Sequence, residues 1–124
     1  MGKTILIVDD SASVRDVVGS ALKGAGYNVL EAVDGKDALN RLSTLGGQKI
    51  HLVISDVNMP NMNGITFLRE MKKQPEYKFV PVVMLTTEGS QDMKESGKDA
   101  GAKGWILKPF QPKQILAAVE KLLM

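Results

Sequence analysis

The sequence predicts an α/β fold built on one doubly wound parallel sheet. Three features point there: five short apolar runs, helical periodicity in the gaps, and a repeat of about 25 residues per strand–helix unit that uses the whole chain. The runs are Thr4–Val8, Asn28–Val33, Leu52–Ser55, Val80–Leu85 and Gly104–Leu107. All but the second are nearly continuous, without the polar alternation of a half-exposed sheet. Parallel strands have helices on both faces, and continuous Val, Ile and Leu is the pattern that such burial demands.

The helices follow from spacing. Val14, Val17, Val18, Ala21 and Leu22 recur at helical intervals until Gly24 and Gly26 stop the segment. Ala38, Leu39 and Leu42 mark a second helix, and Ile65, Phe67, Leu68 and Met71 a third, with Pro75 beyond its end. Ile115, Leu116, Val119, Leu122 and Leu123 form the last, entered at Pro112. The segment Ser90–Gly101 has the thinnest stripe, Met93 and Ala100 alone, and carries Gly97 in mid-helix at a cost of about 1 kcal/mol relative to Ala. It is expected to be the least firmly docked of the five. Gly46-Gly47 reads as a connector.

Composition narrows the function. With 124 residues the chain suits one domain, residues 1–124. No cysteine is present, which excludes disulfides, thiolate metal sites and a cysteine nucleophile. Sixteen basic and 14 acidic residues alternate without a basic run of the kind that tracks nucleic acid. No apolar stretch approaches the roughly 20 residues of a membrane span, and the N-terminus is unlike a signal peptide, so a cytoplasmic location is expected.

Ligands of open parallel sheets bind beyond the carboxyl ends of the strands. There the first strand ends in Asp9-Asp10, the third in Asp56, the fourth in Thr86-Thr87 and the fifth in Lys108-Pro109. Residues at strand ends can also serve as helix caps, a reading that suits Asp10 or Ser11 at the start of the first helix. Three carboxylates at the ends of neighbouring strands repel one another, and Lys108 alone does not balance them. An all-oxygen donor set without His or Cys favours a hard cation, Mg²⁺ before Ca²⁺. Metal, carboxylate, hydroxyl and ammonium together suit phosphoryl transfer, with a carboxylate as nucleophile. No GxxxxGK[ST] or GxGxxG loop is present to cradle a nucleotide. Acidic residues after the first strand would also repel a flavin phosphate. His51, the only histidine, precedes the third strand and reads as an ordinary strand-start residue, and the seven methionines show no stripe.

Asp9-Asp10, Asp56 within SDVNMPNMNG, Thr86 after VPVVML, and Lys108-Pro109-Phe110 together resemble the receiver domain of bacterial two-component response regulators, over essentially the whole chain. In organisation the closest members are its single-domain chemotaxis regulators. The resemblance implies a flavodoxin-like strand order 2-1-3-4-5. It implies that Asp56 accepts a phosphoryl group from a histidine kinase, and that Asp10, Asp56 and the Asn58 backbone carbonyl hold Mg²⁺, with Asp9 acting through water. Lys108 would pair with the phosphoryl oxygens, Thr86 would swing toward them, and Trp105 would be the aromatic switch that moves with Thr86. Lys108–Pro109 would be cis, and the 59–64 turn would shape the site. Two residues depart from the family pattern. Trp105 stands where Tyr or Phe is usual, and Thr87 where a small residue is usual, which is expected to slow access to the site.

The expected function is therefore a phosphorylation-controlled switch. Its partner surface would comprise the fourth helix, fifth strand and fifth helix, and its partners a sensor kinase of the chemotaxis type and the flagellar motor switch. With nothing after Met124, no output domain and no direct DNA binding are expected. The domain would act as a monomer, with dimerisation on activation left open. A phosphorelay shuttle or phosphate sink is the alternative. A Mg²⁺-dependent aspartyl phosphatase fits less well, because Asn58 stands two residues after Asp56 where such enzymes carry an acid. No enzymatic turnover beyond self-phosphorylation and its reversal is expected.

Overall fold

The computed structural model describes residues 2–46, 48–87 and 91–123. Gly47, Ser90 and Met124, which the sequence reading touched, lie outside the described residues. Five strands and five helices alternate: β1 Thr4–Val8, α1 Ala12–Gly24, β2 Asn28–Ala32, α2 Gly35–Thr44, β3 Leu52–Asp56, α3 Gly64–Lys72, β4 Val82–Thr86, α4 Gln91–Ala100, β5 Gly104–Leu107 and α5 Pro112–Leu123. All strand pairings are parallel, in the order β2-β1-β3-β4-β5. The doubly wound class and the strand order are those expected.

The continuous apolar runs are explained by a sheet with two covered faces. On one face Leu6, Val8, Val53, Val82 and Met84 meet Ala38, Leu42, Phe67, Leu68 and Met71, with half-buried Met93 and Ala100 of α4 packed beside them. On the other, Ile5, Ile7, Leu52, Ile54, Val83 and Leu85 meet Val18 and Leu22 of α1 and Ile115 and Val119 of α5. Alternate residues of β1, β3 and β4 therefore point into different apolar layers, which is why these strands read as nearly continuous apolar runs.

Three strands differ from expectation in their bounds. β2 ends at Ala32, leaving Val33 exposed while its N–H donates to the Asp37 carboxylate (3.0 Å). β3 runs one residue further, to Asp56. β4 spans Val82–Thr86, because Pro81 has no N–H to give the ladder and contributes only its carbonyl, which accepts from Val53 N. Val17, placed on the apolar stripe of α1, is 47% exposed, and buried Gly19 takes its place beneath the helix.

Capping fixes the loops that carry the site. Ser11, not Asp10, caps α1 and accepts from Val14 N, while Asp9 Oδ1 accepts from Ser11 N at 2.9 Å. Asn63 caps α3 through Thr66 N (2.8 Å). Asn61 takes the turn at φ 68°, a left-handed conformation that Asn tolerates better than most residues.

Candidate functional site

Parallel strands that start in one layer end at one rim, so residues far apart in sequence become neighbours. β1 pairs β3 with Val8 opposite Ser55, which sets Asp9 and Asp10 beside Asp56. Carboxylate oxygens of Asp9, Asp10 and Asp56 lie within 4.8 Å of one another. Asp9 is fully buried and Asp56 is 6% exposed, whereas Asp10 opens to solvent. Lys108, just past β5, reaches across the end of β4 to place Nζ 3.0 Å from Asp9 Oδ2 and 3.4 Å from Asp56 Oδ2.

The charges leave a mark on the titrating groups. Burial pushes the Asp56 carboxyl above its ordinary range, and the Asp9 charge adds to this, while Lys108 and the Val57 N–H pull the other way. Burial works against the Lys108 ammonium, but its hydrogen bond to Asp9 and the charges of Asp9 and Asp56 outweigh that and raise its pKa. Asp56 Oδ1 accepts from Val57 N at 2.8 Å, which fixes the carboxylate plane and leaves Oδ2 toward Lys108. One ammonium facing three carboxylates leaves net negative charge at an open, all-oxygen rim. That donor set fits a hydrated Mg²⁺.

Thr86 is fully buried at the end of β4, with Thr87 exposed beyond it. Thr86 pairs in register with Leu107, and its carbonyl accepts from Lys108 N (2.7 Å), which sets where the lysine leaves the sheet. The Lys108–Pro109 peptide is cis, as expected. Trp105 sits two pairing steps back, opposite Met84, and packs against the core face shared by α2, α3 and α4. Asn58 is exposed two residues past Asp56. His51 is structural: its Nδ1 accepts from Thr4 N at 2.9 Å.

Sequence reasoning passed over Arg15 and Asp34 near this rim, and read Gly64 only as part of the 59–64 turn. Arg15 donates through Nη1 to the Asp9 carbonyl and through Nε to Glu31 (3.2 Å), bracing the end of β1; an arginine one turn into α1, after two acids, was the signal available. Asp34, the cap of α2, holds Asn61. Gly64 lies so near the end of β3 that a β-carbon there would sit 2.0 Å from Asp56 O.

An acidic trio with one lysine lies at the carboxyl rim of this 2-1-3-4-5 sheet, and the response regulator receiver domain model matches residues 5–120. The chain belongs to that family, the receivers of two-component signalling. Chemotaxis protein CheY of Thermotoga maritima is 39% identical, with 98% of each chain covered. Phosphate regulon transcriptional regulatory protein PhoB of Pseudomonas aeruginosa is 37% identical over 99% of this chain, which spans 52% of that protein's length. The solved structure of Vibrio cholerae chemotaxis protein CheY4 superposes with a TM-score of 0.91 at 42% identity, covering 99% of this chain and 100% of that one. Among the described residues no helix is long and apolar enough to cross a membrane.

Proposed function

We propose that Asp56 is the phosphoacceptor of a signalling switch, and that the switched surface is formed by α4, β5 and α5. The observation that carries this is the placing of Lys108 Nζ between the Asp9 and Asp56 carboxylates, with Asp10 close by. A carboxylate oxygen of Asp56 attacks the phosphorus of a kinase phosphohistidine. The new O–P bond forms an acyl phosphate as the P–N bond breaks, and the imidazole nitrogen keeps the electron pair. The Lys108 ammonium pairs with a phosphoryl oxygen, and the Thr86 hydroxyl follows it. Asp10, Asp56 and the Asn58 carbonyl would hold Mg²⁺, with Asp9 bound through water; when bound, the ion supplies positive charge against the phosphoryl oxygens. Hydrolysis of the acyl phosphate returns Asp56 to its starting state, so the domain acts on its own carboxylate alone. The family match over residues 5–120 supports treating residues 1–124 as one receiver domain in the cytoplasm, where a histidine kinase would meet it.

For the output partner we favour the flagellar motor switch, because chemotaxis proteins named CheY match this chain along 95–98% of their own length. The test is a titration of the N-terminal peptide of a motor-switch protein with and without Mg²⁺–beryllofluoride, which stands in for the phosphoryl group on Asp56. Indole emission from Trp105, the only tryptophan, reports the response. Tighter binding with the mimic is expected. A clear response to the mimic with no peptide binding in either state would overturn the motor assignment and point to a phosphorelay shuttle.

A further inference from the structure

Gly97 is the one residue of α4 that is buried, and it is buried against Trp105. A β-carbon added to Gly97 would lie 2.5 Å from Cζ3 of the indole, 3.4 Å from Cε3 and 3.5 Å from Cη2. Cζ3 belongs to the rigid outer ring, so it cannot yield as the tip of a flexible chain would; the indole or the helix has to move as a body. A glycine that only weakens an isolated helix therefore opens a notch in α4 for the outer ring of Trp105.

The notched conformer also carries a penalty. Indole Nε1 is buried with no hydrogen-bond partner among the described residues. It forgoes a bond that water would offer. Trp105 also borders a shallow surface depression with Lys94, Lys98 and Lys103, so solvent lies close if the ring turns. Packing in the notch holds the ring against α4, and the orphan N–H favours its release. The two terms oppose each other, so a ligand that favours one ring position shifts the population toward it.

We propose that Gly97 is the positioning residue for Trp105: its missing side chain seats the indole, and that contact couples α4 through β5 to the acidic rim. This rests on the reading of Trp105 as the switch aromatic. The path is short. Trp105 pairs with Met84 and Leu107 with Thr86, and Lys108 follows directly.

The test compares Gly97→Ala, Trp105→Phe and the double variant with the parent protein. Phe lacks the outer ring that the added methyl would strike. In the Trp105→Phe background, Gly97→Ala should slow α4 amide exchange about fivefold, the factor implied by the helix propensity of Ala over Gly. With Trp105 present the same change should speed α4 exchange and shift mimic-free emission to the red. The emission change caused by Mg²⁺–beryllofluoride should fall at least about fivefold, the low end of ordinary coupling between sites. Slower exchange in both backgrounds, or a full response to the mimic in Gly97→Ala, overturns the proposal. A parent protein that ignores the mimic while the exchange results hold overturns the receiver reading instead.

Discussion

Asn61 donates from Nδ2 to Asp34 Oδ2 at 2.7 Å, tying the turn after β3 to the cap of α2. The other Asp34 oxygen accepts from Asp37 N at 2.7 Å, and the Asp37 carboxylate in turn accepts from Val33 N. One short network thus closes the start of α2 and holds the loop that follows Asp56.

That network makes stability depend on acid. The Asp37 N–H and the Asn61 amide both favour the charged form of Asp34 and hold its carboxyl below the ordinary value of 3.8. A depressed folded pKa contributes stability above the unfolded value and loses it as pH falls through the folded one. Asp34→Ala is expected to cost about 1 kcal/mol, the usual worth of a helix cap, with the full gap from the parent at neutral pH. Urea unfolding should show the gap narrowing only below pH 3.8. A gap that is constant down to strong acid would remove the charged cap as its cause.

Gly64 meets a stricter demand. Its N–H donates to Val57 O at 2.8 Å, and an added β-carbon would lie 2.0 Å from Asp56 O and 2.9 Å from Met84 Cε. Two of those constraints are backbone, which has little room to relax. Gly64→Ala should destabilise by about 3 kcal/mol, at the high end for overpacking, and should weaken beryllofluoride binding because the end of β3 must move. An unfolding midpoint equal to that of the parent would show that the loop gives way freely.

The sheet and the charged rim were legible because both follow from short patterns. Continuous apolar runs specify two-sided burial, and residues at the ends of parallel strands must converge, so Asp9, Asp10, Asp56 and Lys108 could be grouped from sequence. What stayed hidden depended on contacts between elements. Gly97 looked like a defect until the indole that fills its place was seen. The pairing of Asp34 with Asn61 joins two loops whose sequences show only ordinary turn chemistry. Boundaries slipped by one or two residues where an apolar residue, Val33 or Val80, is not part of a ladder.

The thin stripe of α4 carries its own prediction. Met93 and Ala100 are only half-buried and Gly97 has no side chain, so little apolar surface docks this helix. Its amides should exchange faster than those of α1 and α5, each anchored by two fully buried aliphatic residues, by at least about tenfold. Protection in residues 92–100 equal to that of α5 would show that α4 opens only with the whole domain.

Asp56 links the site to stability. Burial and the Asp9 charge raise its folded pKa, so the native state holds a proton there more tightly than the unfolded chain does. Stability attributable to Asp56 then falls as pH rises from 3.8 through the raised folded value, and stays low above it. At neutral pH in chelator, Asp56→Asn should melt a few degrees higher than the parent protein, because it removes one buried charge from the cluster. Adding Mg²⁺ should reverse the ranking. A ligand at 100 times its dissociation constant stabilises by about 2.7 kcal/mol, and the variant, with one donor weakened, should gain less. Thermal melts of both proteins across a Mg²⁺ series would decide it. An Asp56→Asn variant no more stable than the parent in chelator would mean that Lys108 already balances the carboxylates. The rim would then have no electrostatic need of a cation.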